Sequence, residues 1–123
     1  MSGINDLNVI ACESVVKWKY KEKIFSMSFS KIDQVMVDER RELIFVLDQK
    51  KELPQRLSII SGGGEVLSTS PPPDGGQFYY MTIDTQKEVL VVCIFSKKID
   101  GWSDWHFSFN QKDNLLLRVS PAY

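Results

Sequence analysis

The sequence predicts an all-β domain of antiparallel sheets, assembled from tandem four-stranded units of two hairpins each and closed as a β-sandwich or a partial propeller. Three observations predict it. Apolar and polar residues alternate in short runs along the whole length, the period of a strand with one buried face. No segment carries the apolar spacing of a convincing amphipathic helix. Finally, a block recurs. Val37-Asp38 precedes Glu42-Leu43-Ile44-Phe45-Val46, followed by Leu57-Ser58-Ile59, Gly64-Glu65-Val66-Leu67 and Ser70-Pro71. Ile83-Asp84 precedes Glu88-Val89-Leu90-Val91-Val92, followed by Phe107-Ser108-Phe109, Asn114-Leu115-Leu116-Leu117 and Ser120-Pro121. An internal repeat of this length marks a repeated supersecondary unit.

Taken in order, a strand is expected near 8–12, where Val9 and Ile10 open the pattern, and at 15–20, where Trp18 and Tyr20 alternate with Lys17 and Lys19. Residues 24–30 set Phe25, Met27 and Phe29 against Ser26, Ser28 and Ser30, which favours a strand over the helix that 24–35 would otherwise allow. Strands 34–38 and 42–48 make a hairpin about Glu39-Arg40-Arg41, and 56–61 and 65–70 make a second about Gly62-Gly63-Gly64. Strands 78–84 and 88–95, about Thr85-Gln86-Lys87, and 104–110 and 114–120, about Gln111-Lys112-Asp113, repeat the plan. Asn8-Val9-Ile10-Ala11 and Val15-Val16-Lys17-Trp18 read as the second hairpin of an incomplete unit. The 123-residue chain is thus expected to be one domain, 1–123, with a half repeat at 8–31 and full repeats at 32–73 and 78–123. Matching places in the two copies predict one core from Leu43, Phe45, Leu57, Ile59, Val89, Val91, Phe107, Phe109 and Leu116.

Hairpin units of this kind, with Asp38 and Asp84 just before tight turns and Lys112-Asp113-Asn114-Leu115 in the last hairpin, resemble the blades of β-propeller proteins. The resemblance covers most of the chain and implies curved four-stranded sheets. The Gly62-Gly63-Gly64 turn lacks the matching Asp, and there is no Gly-His…Trp-Asp signature. Two and a half units fall short of the four or so blades that close a ring. Packing two curved sheets face to face is therefore expected, in preference to closing a ring by self-association.

Up-and-down order gathers the short turns at one end and the long connections, 49–55, 71–77 and 96–104, at the other. Long loops on a rigid sheet scaffold commonly carry binding. The block offset grows between the copies at 96–104, so this loop carries an insertion around Asp100-Gly101-Trp102-Ser103-Asp104. The same comparison sets Trp105 opposite Gln55 and His106 opposite Arg56, outside the obligatory core. Asp74, Tyr79, Asp100, Trp102, Asp104 and Trp105 are accordingly the candidate partner-binding residues, with Trp as the anchor type favoured in hot spots.

Chemistry-bearing constellations are scarce. Asp104, His106 and Ser108 share one strand face, but side chains two apart on a strand stand parallel and do not converge as a triad must. Gly62-Gly63-Gly64 lacks the following Lys-Ser/Thr of a phosphate loop. Lys17, Lys19, Lys21 and Lys23 interleave with aromatics, as in single-strand binders, but read better as an outward row protecting a surface strand. Cys12 and Cys93 lie in apolar, strand-like context and are expected to be buried, unbridged thiols. No metal, cofactor or catalytic residue is expected.

Formal charge is −1, from 15 basic and 16 acidic residues, too balanced to announce nucleic acid. Met1 to Asn8 is polar and unlike a signal peptide, and no apolar run approaches a membrane span. A free-standing cytoplasmic domain with no membrane partner is expected. The leading functional expectation is a small module that binds and inhibits another protein, concretely an immunity protein that covers the basic active site of a bacterial nuclease toxin. The alternative is a carbohydrate- or small-ligand-binding domain with Trp102 and Trp105 as its platform. An enzyme whose site is completed in an oligomer ranks last.

Overall fold

In the computed structural model, the described residues form eleven strands, each within a few residues of an expected one. The structure describes residues 3–122; residues 1, 2 and 123, the extremities of the expected 1–123 domain, lie outside the described residues. The strands form three antiparallel meanders. β1 (Ile4–Ile10), β2 (Val15–Tyr20) and β3 (Lys23–Ser28) make a first sheet. β4 (Gln34–Asp38), β5 (Leu43–Asp48), β6 (Arg56–Ser61) and β7 (Val66–Ser70) make a middle sheet. β8 (Gly76–Ile83), β9 (Val89–Ile99), β10 (Trp102–Asn110) and β11 (Leu115–Pro121) make a third. The two four-stranded sheets are the two copies of the repeat. The sheets do not close into a barrel. The described residues contain no α-helix, only a single 3-10 turn at Ala11–Glu13.

The stacking follows from which faces are apolar. Leu43, Phe45 and Leu47 of β5 and Leu57 and Ile59 of β6 pack against Phe78, Met81, Val89, Val91, Cys93, Phe95, Trp105, Phe107 and Phe109 of the third sheet. All nine expected core residues belong here, eight buried and Leu116 partly so. Phe45 meets Phe109 edge to face at 6.2 Å, a preferred aromatic geometry. Val89 and Val91 are the counterparts of Leu43 and Phe45, so the two copies meet through equivalent faces. That is sandwich packing. Rotation about a propeller axis would bring unlike faces together.

A third layer goes beyond the expected pair of sheets. Ile44, Val46 and Ile60, the opposite face of the middle sheet, pack on Ile4, Val16 and Trp18 of the first sheet, flanked by Phe25, Met27 and Phe29. The segment read as half a unit thus contributes three strands, because β3 pairs along the whole of β2. β5 is buried at every position, which explains its continuous apolar run: a strand covered on both faces loses the alternation. The outer face of the first sheet is the polar one. Lys17 and Lys19 are exposed there, paired across to Ser26 and Ile24.

Polar side chains fix how the layers sit. Fully buried Asp38 accepts from the Val89 N–H at 3.2 Å and forms an ion pair with Arg41 at 2.8 Å, while Arg41 donates to the Phe109 carbonyl. The Gln34 amide donates to the Tyr79 carbonyl at 3.1 Å and accepts from the Met81 N–H at 2.9 Å, satisfying β8 backbone at a bulge. The buried Trp18 indole donates to the Gly62 carbonyl at 2.8 Å. A Cβ at Gly62 would lie 2.6 Å from the Tyr20 ring, so glycine is required by close approach. Buried Asp48 is held by Arg56, and by the Ser30 N–H at 3.0 Å. Its hydrogen bond to Asp48 keeps the Arg56 guanidinium more firmly protonated than usual, against the opposing effect of its desolvation.

Truncating Phe107 to Ala is expected to cost about 3–5 kcal/mol, through lost transfer energy and a cavity between the sheets. Urea unfolding measures it. A midpoint unchanged from the parent protein would remove Phe107 from the core.

Candidate functional site

The long-loop end is built differently from the expectation. Residues 96–104 are not a loop. β9 continues to Ile99 and β10 begins at Trp102, joined by the two-residue turn Asp100-Gly101. Both turn residues have positive φ, 49° and 85°, as a type I′ hairpin turn requires. The extra residues of β9 are absorbed in a bulge, since Trp102 pairs with Ile99 while Asp104 already pairs with Ile94. The insertion is therefore an extension of the hairpin, closed by a tight turn and carrying a bulge. Its counterpart β5–β6 instead crosses by the irregular connection 49–55.

Register also corrects the placement of Trp105. Leu47 faces Leu57 in the middle sheet, and its counterpart Cys93 faces Trp105 in the third. Trp105 is thus the structural equivalent of Leu57, a core position, and not of Gln55. It is 7% exposed and sits in the inter-sheet core. Trp105 supports the tip from below: its indole donates to the Trp102 carbonyl at 3.1 Å. The Arg118 guanidinium stacks over its ring at 4.6 Å, within the range of a cation–π contact. Arg118 also lies 3.9 Å from Asp100, a solvated pair of little energetic weight.

The remaining candidates spread along the same sheet. Trp102 is 42% exposed at the hairpin tip, next to exposed Asp100. Asp104 is half-buried and accepts from the Ser103 hydroxyl at 2.9 Å. Asp74 is exposed in the turn that leads into β8. Tyr79 is exposed further along β8, edge to face with Tyr80 at 5.1 Å. Asp100, Trp102 and Asp104 therefore form one group, with Asp74 on the neighbouring connection and Tyr79 set apart on the edge strand. Lys97 and Lys98 are exposed on the same hairpin, so the tip carries both signs of charge. Trp102 and Trp105 do not form a shared platform, since one is at the surface and the other in the core.

The outer face of the third sheet holds the sole histidine and a shallow cleft of about 550 Å³ lined by Glu88, Leu90, His106, Ser108, Val119 and Ser120, among others. Composition and spacing did not single this cleft out, because β11 supplies part of it from the far edge. Here His106 and Ser108 turn sideways to groups outside β10. His106 Nδ1 lies 3.2 Å from the Ser120 hydroxyl, and the Ser108 hydroxyl donates to Glu88 at 2.5 Å. Asp104, His106 and Ser108 make no bond with one another, as parallel side chains on one strand dictate.

No cluster of His, Cys, Asp or Glu suited to a metal ion occurs among the described residues. Among them, no helix is long and apolar enough to cross a membrane. Compared with known protein families, with curated proteins and with solved structures, the chain matches none.

The cysteines differ from each other. Cys93 is buried between the sheets as expected, but Cys12 is exposed on the turn after β1, because the strand stops at Ile10. Burial pushes the Cys93 thiol up to about 12. Since the thiolate is the nucleophile, Cys12 should be alkylated by iodoacetamide at pH 8 in the native protein while Cys93 reacts only on unfolding. Peptide mass mapping before and after denaturation checks this. Equal native labelling of both would show that the core opens readily.

Proposed function

We propose that this protein is a non-catalytic module that works by binding another protein, with the extended β9–β10 tip as its contact. The observation that carries the reading is the tip itself. Where the first copy of the repeat has an irregular connection, the second has two strands and a tight turn that present a half-exposed Trp. The indole of Trp105 and the stacked Arg118 brace it from beneath. A rigid aromatic anchor loses little conformational entropy on binding, which is why such residues dominate interface energetics.

The concrete version is an inhibitory role of the immunity type, in which the tip occupies the active-site region of a bacterial nuclease toxin. Asp100 and Asp104 beside Trp102, with Asp74 on the adjoining connection, supply the carboxylates that a basic site would meet. Lys97 and Lys98 limit the acidity of this end, so charge would orient the encounter and the Trp would hold the complex. The function would be exercised in the cytoplasm.

The test begins with immobilised protein, native-host lysate and mass spectrometry to identify the partner. Titration calorimetry then compares Trp102→Ala and Asp100→Lys with the parent chain. Trp102→Ala should weaken binding by about 2 kcal/mol, roughly thirtyfold in Kd, with the unfolding midpoint nearly unchanged. Nuclease activity of the partner, inhibited by the parent chain, should return with the variant. Equal affinity of both variants for the partner would place the interface elsewhere, and unfolding of Trp102→Ala would make Trp102 a core residue.

A further inference from the structure

Three open sheets leave six edge strands, β1 and β3, β4 and β7, β8 and β11. An edge presents unpaired N–H and C=O groups, and a bulge or a cover is what keeps another chain off it. β1 carries a surplus residue between its pairs to Lys19 and Lys17, with Asp6 at positive φ. β7, β8 and β11 are bulged as well, at Leu67, Tyr79 and Val119. β4 is half-buried or buried throughout, and its Gln34 is bonded to the β8 backbone. β3 has neither device. It pairs with β2 without a break from Lys23 to Ser28, and its Lys23, Ile24, Ser26 and Ser28 are exposed.

The hairpin fixes which β3 groups are free. Lys21 and Glu22 form its two-residue turn, both at positive φ, 48° and 67°, which makes Tyr20 and Lys23 the first hydrogen-bonded pair. Such pairs alternate along an antiparallel ladder. Lys23, Phe25 and Met27 therefore turn their backbone groups to β2, and Phe29 continues the series by donating to the Ser14 carbonyl at 2.7 Å. The N–H and C=O groups of Ile24, Ser26 and Ser28 point the other way, where the first sheet has no further strand. An added strand would find side chains on both faces. Phe25 and Met27 are only partly buried against the core shared with the middle sheet, so the strand would extend that core. On the other face stands Ile24, 80% exposed.

We propose that β3 is a docking edge for an extended acidic segment of a partner protein, which joins the first sheet as its next strand. Charge selects this occupant. Lys17 and Lys19 are exposed opposite Ser26 and Ile24, and no ion pair among the described residues engages them. Asp6 and Glu22 share a hollow with Lys19 and Lys21 toward β1, which leaves Lys17 as the cation facing the middle of β3. β3 itself holds no carboxylate. Strands lie about 4.8 Å apart, so the long Lys17 side chain can cross the short Ser26 and meet a Glu on the added strand. A guarded edge carries its lysines along the edge strand. Here Lys17 and Lys19 stand on the central strand, and β3 has Lys only at its turn end. A second copy is the poorer occupant, because pairing β3 with β3 would place two Lys17 side chains on one sheet face with no carboxylate between them. The edge belongs to the first sheet and the Trp102 tip to the third, on opposite sides of the middle sheet, so this inference does not rest on the tip reading.

The probe is a short fluorescein-labelled peptide alternating Val and Glu, titrated onto the full chain and followed by anisotropy, with a Val–Lys peptide as control. Binding of the Val–Glu peptide well below millimolar concentration is expected, and none of the control. Ser26→Pro removes an outward N–H and spares the β2 ladder, a setting in which a sheet edge tolerates Pro, and should weaken binding about tenfold with circular dichroism unchanged. Lys17→Glu should weaken the Val–Glu peptide about fivefold and let the Val–Lys peptide bind. In hydrogen-exchange NMR of the parent chain, the peptide should slow the amides of Ile24, Ser26 and Ser28 and leave those of Phe25, Met27 and Trp102 as they were. That pattern decides the matter even where Ser26→Pro fails to fold. No binding at millimolar peptide, equal binding of both peptides, undiminished binding to Ser26→Pro, or protection at Trp102 in place of β3 would overturn the proposal. Self-association of the parent chain that Ser26→Pro abolishes would overturn it too, since the edge would then belong to a second copy.

Discussion

The middle sheet has to be covered twice. β5 is buried along its whole length, so neither of its faces can be left to water. The rest of the architecture answers that demand: the third sheet covers Leu43, Phe45 and Leu47, and the first covers Ile44 and Val46. A two-layer sandwich of the same repeats would leave one of these faces bare, and burial of a Leu, Ile or Phe side chain is worth about 1.5–3 kcal/mol. The three strands ahead of the two full repeats are thus a structural necessity. Their outer face can afford to be rich in Lys because nothing packs on it.

Hydrophobic burial fixes the stacking of the layers but not their register along one another. That is set by a few directional contacts. Asp38 and Arg41 join β4 to the start of β9 and the end of β10, and Gln34 joins the other end of β4 to the bulge in β8. Trp18 and Glu42 do the same between the first and middle sheets, through the Gly62 carbonyl and the Gly3 N–H. Each is a buried or partly buried polar group whose loss would leave a partner unsatisfied, and such groups penalise alternative alignments more than they add net stability. No buried side-chain nitrogen or oxygen among the described residues lacks a partner.

Strand positions and the repeat were legible because both rest on period-2 alternation and on turn residues, which are local. Asp84 shows the local logic: its carboxylate accepts from the N–H groups of Gln86 and Glu88 and holds its own turn. Asp38 does likewise for Arg41, and its reach to Val89 lies beyond what a turn motif announces. Trp105 shows where alternation fails. Sliding a strand by two residues leaves every side chain on its original face, so matching Phe107 to Leu57 and matching Trp105 to Leu57 satisfy the same pattern. Only pairing across to Cys93 decides between them. The Asp-Gly turn at 100–101 was a legible hairpin signal. The mostly polar run 96–104 has the composition of a loop, and the bulge that carries the surplus residues leaves no local signal. Cys12 was misplaced because its apolar neighbours belong to a strand that ends two residues earlier. Residue type therefore marks the candidate tip, while its hairpin form is decided by cross-strand pairing.

A shared wall also governs how the molecule comes apart. The two cores lie on opposite sides of the same strands, β5 and β6. Detaching the first sheet would bare Ile44, Val46 and Ile60 on a sheet whose other face is still engaged. Detaching the third would bare Leu43, Phe45 and Leu57. Neither event can proceed far without weakening the wall on which the other core depends. Three meanders that look modular along the chain are in this sense one cooperative unit. Hydrogen exchange would then find its slowest amides in β5 and β6, and denaturation a single transition.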